Sequence, residues 1–560
     1  MGTQYKGRLE LTWTNKDQSL LAQDNGSYEW VSPSDYRVAE VRLLHDAGTV
    51  GRVQAEQDRA GDNLLIQGDA LNALTSLIHL PAFAQEYVGH VKLAYLDPPF
   101  NTKQSFLQYD DALEHSVWLT MMRDRLQHIQ TLLSPIGSVW VHCDDSEMAY
   151  LKVMMDEVFG RNCWVTTIVW QKRTSRENRA VFSVSQDYIL VYAPAGPVGW
   201  RDVRNRMTRP GASFSNPDHD PRGPWDSIPF TAQGYRKNQM YPITTPTGLI
   251  LEPPKGRCWG ATEAVFKQLT LEERVYFPKG GNGRPRVKQY ADEAQGLVPM
   301  TWWSADEVGD NEEAKKEILA LFPNAEPFAT PKPERLIERI VQIATNPGDI
   351  VLDCFVGSGT LAAVGHKMDR RWIAVERSAA TLATFTIPRL TQVVDGEDPG
   401  GITNSVGWDG GGGFRILDVA PSMFDDDGGV IFLADWAVNG RLAEATAAQL
   451  GYEYRLDPPF CGRKGRLRLA VVDGLVGEDV VRLLVSALAD TECLAVCGTA
   501  IDIQVRDLLR ELRPGSTLRK IPSSILGEYR DQRRRYVNET IATEDAEETA
   551  GETVEEPVRI

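Results

Sequence analysis

The run Asp353-Cys354-Phe355-Val356-Gly357-Ser358-Gly359-Thr360 follows the apolar stretch Ile350-Val351-Leu352 and precedes a small-residue run ending at Met368. Glycines spaced this way between a strand and a helix let a ligand approach the backbone at the helix N-terminus. A bare glycine turn serves equally as a tight connection with no ligand. Glu376 shifts the balance, because it ends the next apolar strand 19 residues after Gly357. An acid there accepts hydrogen bonds from ribose hydroxyls in nucleotide-binding units. Turn and acid together point to an adenosine-containing ligand.

A second constellation is Asp97-Pro98-Pro99-Phe100, which closes the apolar run 91–96. An aspartate at a strand end, two prolines that lock the backbone and an aromatic offer an acceptor, rigid carbonyls and a stacking face. A planar ring bearing an amino group fits such a cavity. The alternative is an ordinary strand-ending turn, since prolines stop strands routinely. With the leucine before it (Leu96) the motif is a pentapeptide that recurs at 456–460, after Tyr452-Glu453-Tyr454-Arg455 and with no glycine turn and acid nearby, so that copy is expected to be such a turn. Gly410 to Gly413 lead into strand-like residues and are expected to form a flexible turn.

The elements that must position these groups alternate. Residues 63–74 read as strand, turn and helix, and 91–96 as a strand. In 118–133, Leu119, Met122, Leu126, Ile129 and Leu133 share a helix face, and Pro135 with Gly137 stops it. Strand, helix and strand follow at 138–144, 148–160 and 166–170, then a strand at 188–193. Alternation resumes with a helix in 328–344, the glycine unit in 349–368 and a strand at 370–376. Split units bracketing residues 195–327 imply one α/β doubly wound sheet carrying an insert. Residues 1–60 carry no visible chemistry, residues 425–525 read as a small C-terminal α/β domain, and 540–560 as an acidic disordered tail.

The chain has 560 residues, enough for roughly three to four domains, and its net charge of −17 alone speaks against nucleic acid. The distribution points the other way, since residues 161–290 hold 20 Lys/Arg against 10 Asp/Glu. No apolar run long enough for a membrane span or secretory signal is seen. Seven scattered cysteines without a CxxC pair argue against disulfides and structural zinc, and fit a cytoplasmic setting.

Residues 91–102, 328–336 and 350–360, read together, resemble the amino-methyltransferases that modify DNA bases with S-adenosylmethionine, in the permuted order where the catalytic motif precedes the cofactor glycines. The likeness extends through Gly68 to Leu71, residues 118–126, 188–193, 220–225 and 407–414, covering roughly 60–415. It is closest to the adenine-specific modification subunits of type III restriction systems and similar phage-defence methylases. It implies a Rossmann-like methyltransferase sheet with a catalytic half at 61–194, a target-recognition insert at 195–327 and a cofactor half at 328–415.

The resemblance also implies roles. Asp97 accepts from the target amino group, the Pro98 carbonyl takes its other proton, Pro99 stiffens the turn, and Phe100 stacks on a flipped-out base. Phe355, Gly357, Ser358 and Gly359, with Asp353, border the cofactor; Glu376 takes its ribose, Asp69 lies near its adenine and Lys332 near its methionine. No metal is required. Arg173, Arg176, Arg179, Arg201 and Arg204, with Arg206 and Arg209, are expected to gather at the insert's entrance, interleaved with Phe182, Trp200 and Phe214, and to meet the phosphates of double-stranded DNA. The implied activity is N6-adenine methylation, against cytosine-N4 or RNA methylation or a non-catalytic DNA-binding subunit. A homodimer or a helicase or nuclease partner is expected, with the C-terminal domain as docking piece or DNA clamp.

Overall fold

Ten strands form one sheet in the computed structural model, which describes residues 10–22, 28–100, 104–105, 110–111, 114–207, 214–290, 296–324, 326, 328–527 and 529. The expected acidic tail at 540–560 and Arg209 lie outside the described residues. In chain order the strands are β1 (Leu44–Gly51), β2 (Leu64–Gln67), β3 (Val91–Leu96), β4 (Leu133–Cys143), β5 (Trp164–Gln171), β6 (Gln186–Tyr192), β7 (Trp302–Trp303), β8 (Ile350–Asp353), β9 (Arg371–Glu376) and β10 (Gly413–Val419). Their order across the sheet is β7-β5-β6-β4-β3-β8-β9-β2-β10-β1.

The six central neighbours β4, β3, β8, β9, β2 and β10 run parallel. Every side chain of β3 and β8 is buried, as expected of strands covered on both faces. Helices α1 (Ala70–His79), α2 (His115–Leu132) and α3 (Met148–Phe159) serve crossovers that step one way along the sheet. Helices α4 (Glu334–Ala344), α5 (Thr360–Lys367) and α6 (Ile387–Asp395) pack together and serve crossovers that step the other way. Right-handed crossovers of opposite step put the two sets on opposite faces, which is the doubly wound arrangement.

Some boundaries differ from the expected ones. Pro135 and Gly137 do not separate α2 from its strand: β4 starts at Leu133, opposite Val91, and resumes at Ser138, opposite Leu93, so residues 134–137 are taken up in a bulge. Residues 206–299 form a second compact unit, smaller than the expected insert. Strand β7 pairs parallel with β5, which ties it to the larger unit. Within 206–299, strands Trp225–Pro229, Val275–Tyr276 and Arg286–Tyr290 pair antiparallel, with Phe230, Tyr241, Ile243 and Trp259 as core.

Beyond residue 420, β11 (Glu453–Asp457), β12 (Phe460–Lys464), β13 (Leu467–Val476), β14 (Cys493–Ile501) and β15 (Thr517–Lys520) form a separate five-stranded sheet. Its helices are α7 (Leu442–Leu450), α8 (Glu478–Ser486) and α9 (Val505–Leu512). It belongs to the larger compact unit, whose apolar core runs on through Phe424, Leu442 and Tyr529. Among the described residues no helix is long and apolar enough to cross a membrane.

Candidate functional site

From the carboxyl end of β3 the chain steps toward β4, and from that of adjacent β8 it steps toward β9. Crossovers diverging from neighbouring parallel strands leave a crevice at their carboxyl ends, the usual ligand position in such sheets. A cavity of about 710 Å³ lies there.

Among the described residues six carboxylates line it: Asp144 just past β4, Asp187 on β6, and a row of four at or just beyond the ends of four adjacent strands, Asp97 (β3), Asp353 (β8), Glu376 (β9) and Asp69 (β2). At roughly 4.8 Å between strands the row spans about 14 Å, an elongated site rather than a point. Pro98, Pro99, Phe100, Lys332, Phe355, Gly357 and Ser358 also face the cavity, so two segments more than 200 residues apart in sequence meet in one site. Gly359 is not on the wall; with φ of 84° it caps α5, and a Cβ there would stand 3.2 Å from Thr386 Cγ2. Gly357, at φ 49°, leaves space that a Cβ 3.1 Å from Phe328 would fill.

Lys332 meets Asp97 on the cavity wall. Its Nζ donates to Asp97 Oδ2 at 2.5 Å and stands 5.1 Å from the centroid of the Phe100 ring. Asp97 Oδ1 is buried and, among the described residues, has no hydrogen-bond partner. One carboxylate oxygen is thus neutralised and held, and the other is ready to accept. Trp118 Nε1 donates to the Pro99 carbonyl at 2.6 Å, pinning the turn to α2.

Glu376 accepts the Gly357 amide on Oε2 at 3.0 Å and the Ser378 amide on Oε1 at 2.8 Å. Each oxygen keeps a further lone pair for a hydroxyl donor. Burial raises its carboxyl above the usual range, and the amides work the other way. At the far end Asp69 caps α1 through the Leu71 amide at 2.8 Å and pairs with Arg125 at 3.0 Å, whose guanidinium lies 5.9 Å from the Phe355 ring. Arg125 is a cavity residue that the sequence reading missed, as is Tyr28, from the N-terminal region in which no chemistry was seen. Trp13 Nε1, which donates to Thr120 at 2.8 Å, and Arg123, which donates to the Gln18 carbonyl at 2.7 Å, fasten that region to α2.

Asp353 carries a pH dependence. Burial pushes its carboxyl up to about 8; the Phe355 amide opposes this, and Asp97 and Glu376 add to it. The folded chain therefore holds this proton more tightly than the unfolded chain. Its contribution to stability is complete below about pH 4 and is lost as pH rises through about 8. Asp353→Asn, which can still accept the Phe355 amide, is expected to match wild type in thermal denaturation near pH 4 and to become increasingly the more stable protein as pH rises to 9. Parallel stability curves would contradict this placement of the charge.

The arginines expected to form one cluster are divided. Arg173, Arg176 and Arg179 lie on the connection from β5 to β6, beside Lys172 and Asp187 of the cavity wall. Phe182, on the same connection, is 85% exposed. Strand β6 runs antiparallel to β4, so its carboxyl end lies at the opposite edge of the sheet. Arg201 and Arg204 follow it there: Arg201 pairs with Asp202, and Asn205 bonds to the end of α4. Trp200 is core, edge-on to Trp140. Arg206 and Phe214 belong to the 206–299 unit.

The second copy of the pentapeptide forms the turn of the β11–β12 hairpin, as expected. Phe460 is 4% exposed in the apolar core, and Asp457 points outward, paired with Arg468.

The chain is similar to known proteins. A family model described as DNA methylase matches residues 91–385. The type III restriction-modification enzyme StyLTI Mod subunit of Salmonella typhimurium is 32% identical over 348 residues, 55% of this chain and 50% of that protein. The probable HindVI Mod subunit of Haemophilus influenzae is 29% identical over 437 residues, 66% and 56% of the respective chains. The chain thus spans about half the length of these relatives. A solved DNA modification methylase of Thermus thermophilus, described as putative, aligns at 16% identity and a TM-score of 0.31, covering 64% of this chain and all of that one.

Proposed function

Since this chain belongs to the DNA methylase family, we propose that it transfers a methyl group from S-adenosylmethionine to the N6 amino group of adenine in double-stranded DNA. Its place is that of the modification subunit in a restriction-modification system, with a restriction subunit as partner. The observation that carries the reading is the state of Asp97: Oδ2 held by Lys332, Oδ1 buried and without a partner.

The cavity fits the cofactor's parts. Glu376 takes the ribose hydroxyls, Asp69 with Arg125 borders the adenine, and the Phe355 to Ser358 loop leaves room that a side chain at Gly357 would fill. When bound, S-adenosylmethionine supplies a methyl group on a sulfonium, an electrophile that needs no further activation. The protein's work falls on the nucleophile. An amino nitrogen conjugated to a purine ring is a poor nucleophile because its lone pair is shared with the ring. Asp97 Oδ1 accepts one N–H and the Pro98 carbonyl the other, which draws density back onto nitrogen. Oδ1 would receive the proton that nitrogen gives up as it takes the methyl group, the sulfur–methyl bond breaking with its electron pair left on the departing neutral thioether. Phe100 provides a stacking face for a base that must leave the duplex, at a cost of a few kcal/mol. Holding both partners in line supplies most of the acceleration.

Incubating the protein with tritiated S-adenosylmethionine and either unmodified DNA or RNA tests this. Label is expected in DNA; label in RNA alone, or in neither, would refute the reading.

The basic connection beside the cavity makes a separate expectation. Phosphate contacts release counterions, with log K falling by about 0.9 per contact for each unit of log salt. Reversing Arg173, Arg176 and Arg179 to Glu is expected to flatten the slope by about 3, to first order. The same change at Arg201 and Arg204, on the other edge, should leave it nearly unchanged. Equal effects from both sets would place the DNA path elsewhere.

A further inference from the structure

Behind Phe100 lies His142, fully buried on β4 and absent from the cavity wall. The two rings are stacked, with centroids 5.4 Å apart and planes 26° apart. The imidazole is fixed from several sides. Tyr95 of β3 lies 3.0 Å from Nδ1, Asp187 of β6 lies 3.5 Å from Nε2, and Trp170 of β5 meets it edge-on at 5.3 Å. Asp187 is in turn bound by Lys172 at 2.6 Å. Four adjacent strands therefore contribute to one buried row ending under the ring that faces the cavity.

Burial, with Lys332 nearby, holds the imidazole below its usual range and hence neutral. A neutral imidazole has one acceptor and one donor nitrogen. The surroundings assign them: Tyr95 Oη donates to Nδ1, and the proton sits on Nε2, which makes no hydrogen bond among the described residues but has the Asp187 carboxylate 3.5 Å away. Burial works to raise the Asp187 carboxyl, but His142 and Lys172 outweigh it and keep it ionised. A flipped ring would lose the Tyr95 bond and turn its N–H away from the Asp187 carboxylate. Phe100, in contrast, sits past the last residue of β3, where the strand's hydrogen bonds no longer fix it. A side chain there chooses among staggered rotamers according to what it packs against.

We propose that His142 is a positioning residue for methyl transfer: bonded to Tyr95, packed against Trp170 and facing the Asp187 carboxylate, its imidazole is the wall that keeps Phe100 in place as the stacking face for the flipped base. The inference rests on the function proposed above for Asp97 to Phe100. It concerns a residue that touches neither base nor cofactor, and a ring misplaced by about an ångström can cost roughly 10²-fold in rate.

Two readouts test it, one independent of catalysis. With 4-fluorophenylalanine at position 100, the ¹⁹F resonance of the full chain should be a single line, displaced by the imidazole ring current. In His142→Ala it should move toward the position of an unstacked ring, and in His142→Phe, which restores a ring, it should stay displaced. In methylation assays on the unlabelled proteins, His142→Ala should lower kcat by about 10- to 100-fold with cofactor Kd and DNA KM nearly unchanged. His142→Phe should recover most of that loss. Asp187→Asn keeps the ring but loosens its hold, so it should give an intermediate kcat and remain testable if His142→Ala fails to fold. The same ¹⁹F shift in wild type and His142→Ala would overturn the proposal, as would His142→Phe or Asp187→Asn behaving like a general loss of fold. A normal ¹⁹F pattern in a protein that methylates nothing would instead count against the proposed function while leaving the ring contact intact.

Discussion

Asp97→Ala is expected to lower methyl transfer by roughly 10³-fold or more, a loss in the range for removing a positioned proton acceptor, while cofactor binding stays within a few-fold. The asymmetry follows from where the carboxylate sits. Its bound oxygen faces Lys332 and its unpartnered oxygen has no role toward the glycine loop, which is held by Glu376 instead. Asp97→Asn should be nearly as inactive, because an amide at Oδ1 keeps an acceptor but no charge with which to take up the proton. The control is internal: Asp457→Ala, in the second copy, removes only a surface pair with Arg468 and should leave activity intact. Tritium transfer and isothermal titration with S-adenosylhomocysteine check the two halves of the expectation. Loss of cofactor affinity equal to the loss of rate would mean that Asp97 serves the cofactor and not the base.

Glu334→Ala is expected to produce the largest loss of stability, about 3–5 kcal/mol, the cost of breaking a buried ion pair from one side. Glu334 opens α4 and is 1% exposed. It accepts from Lys367 of α5 at 2.8 Å, from Arg389 of α6 at 2.8 Å and from the Ile402 amide at 3.0 Å. Asp398 is the second partner of Lys367, at 2.6 Å. Two cations and two carboxylates balance, and removing Glu334 leaves the cations with one. The network also reaches the site, because Arg389 donates to the Ser358 carbonyl at 3.3 Å and to Thr360 at 3.0 Å. Urea denaturation should therefore show the loss, and any variant that still folds should bind cofactor more weakly. A change under about 1 kcal/mol, typical of surface pairs, would show that the network is hydrated in solution.

Alternation of apolar strands with helices whose apolar residues recur at three and four was legible along most of the larger unit, since burial on both faces leaves a strong periodic signal. So was the meeting of Asp97 with the glycine loop and Glu376, because adjacent strands of a doubly wound sheet bring their carboxyl ends together. Arg125 was legible in principle: it stands three residues after Met122 and four before Ile129, a cation inside the apolar stripe of α2. Other features had no local signal. Tyr28 reaches the cavity from a hairpin fastened by long-range contacts to α2. The hairpin β11–β12 is short and charged, and lacks the apolar alternation that marks a half-buried strand. Arg201 and Arg204 looked like neighbours of Arg173 because sequence distance says nothing about strand direction, and the antiparallel β6 carries the chain to the other edge. Lys332 was recognisable as a site residue, but its partner across 235 positions was not.

In the proposed reaction the carboxylate at the end of β3 accepts from the amino group of adenine. The most direct test of this is to digest DNA modified by this protein with S-adenosylmethionine, labelled in the methyl group, and to identify the labelled nucleoside by mass spectrometry. The expected product is N6-methyldeoxyadenosine, formed by wild type and by Asp457→Ala and missing with Asp97→Ala; label in N4-methyldeoxycytidine, or label that persists without Asp97, would contradict this assignment.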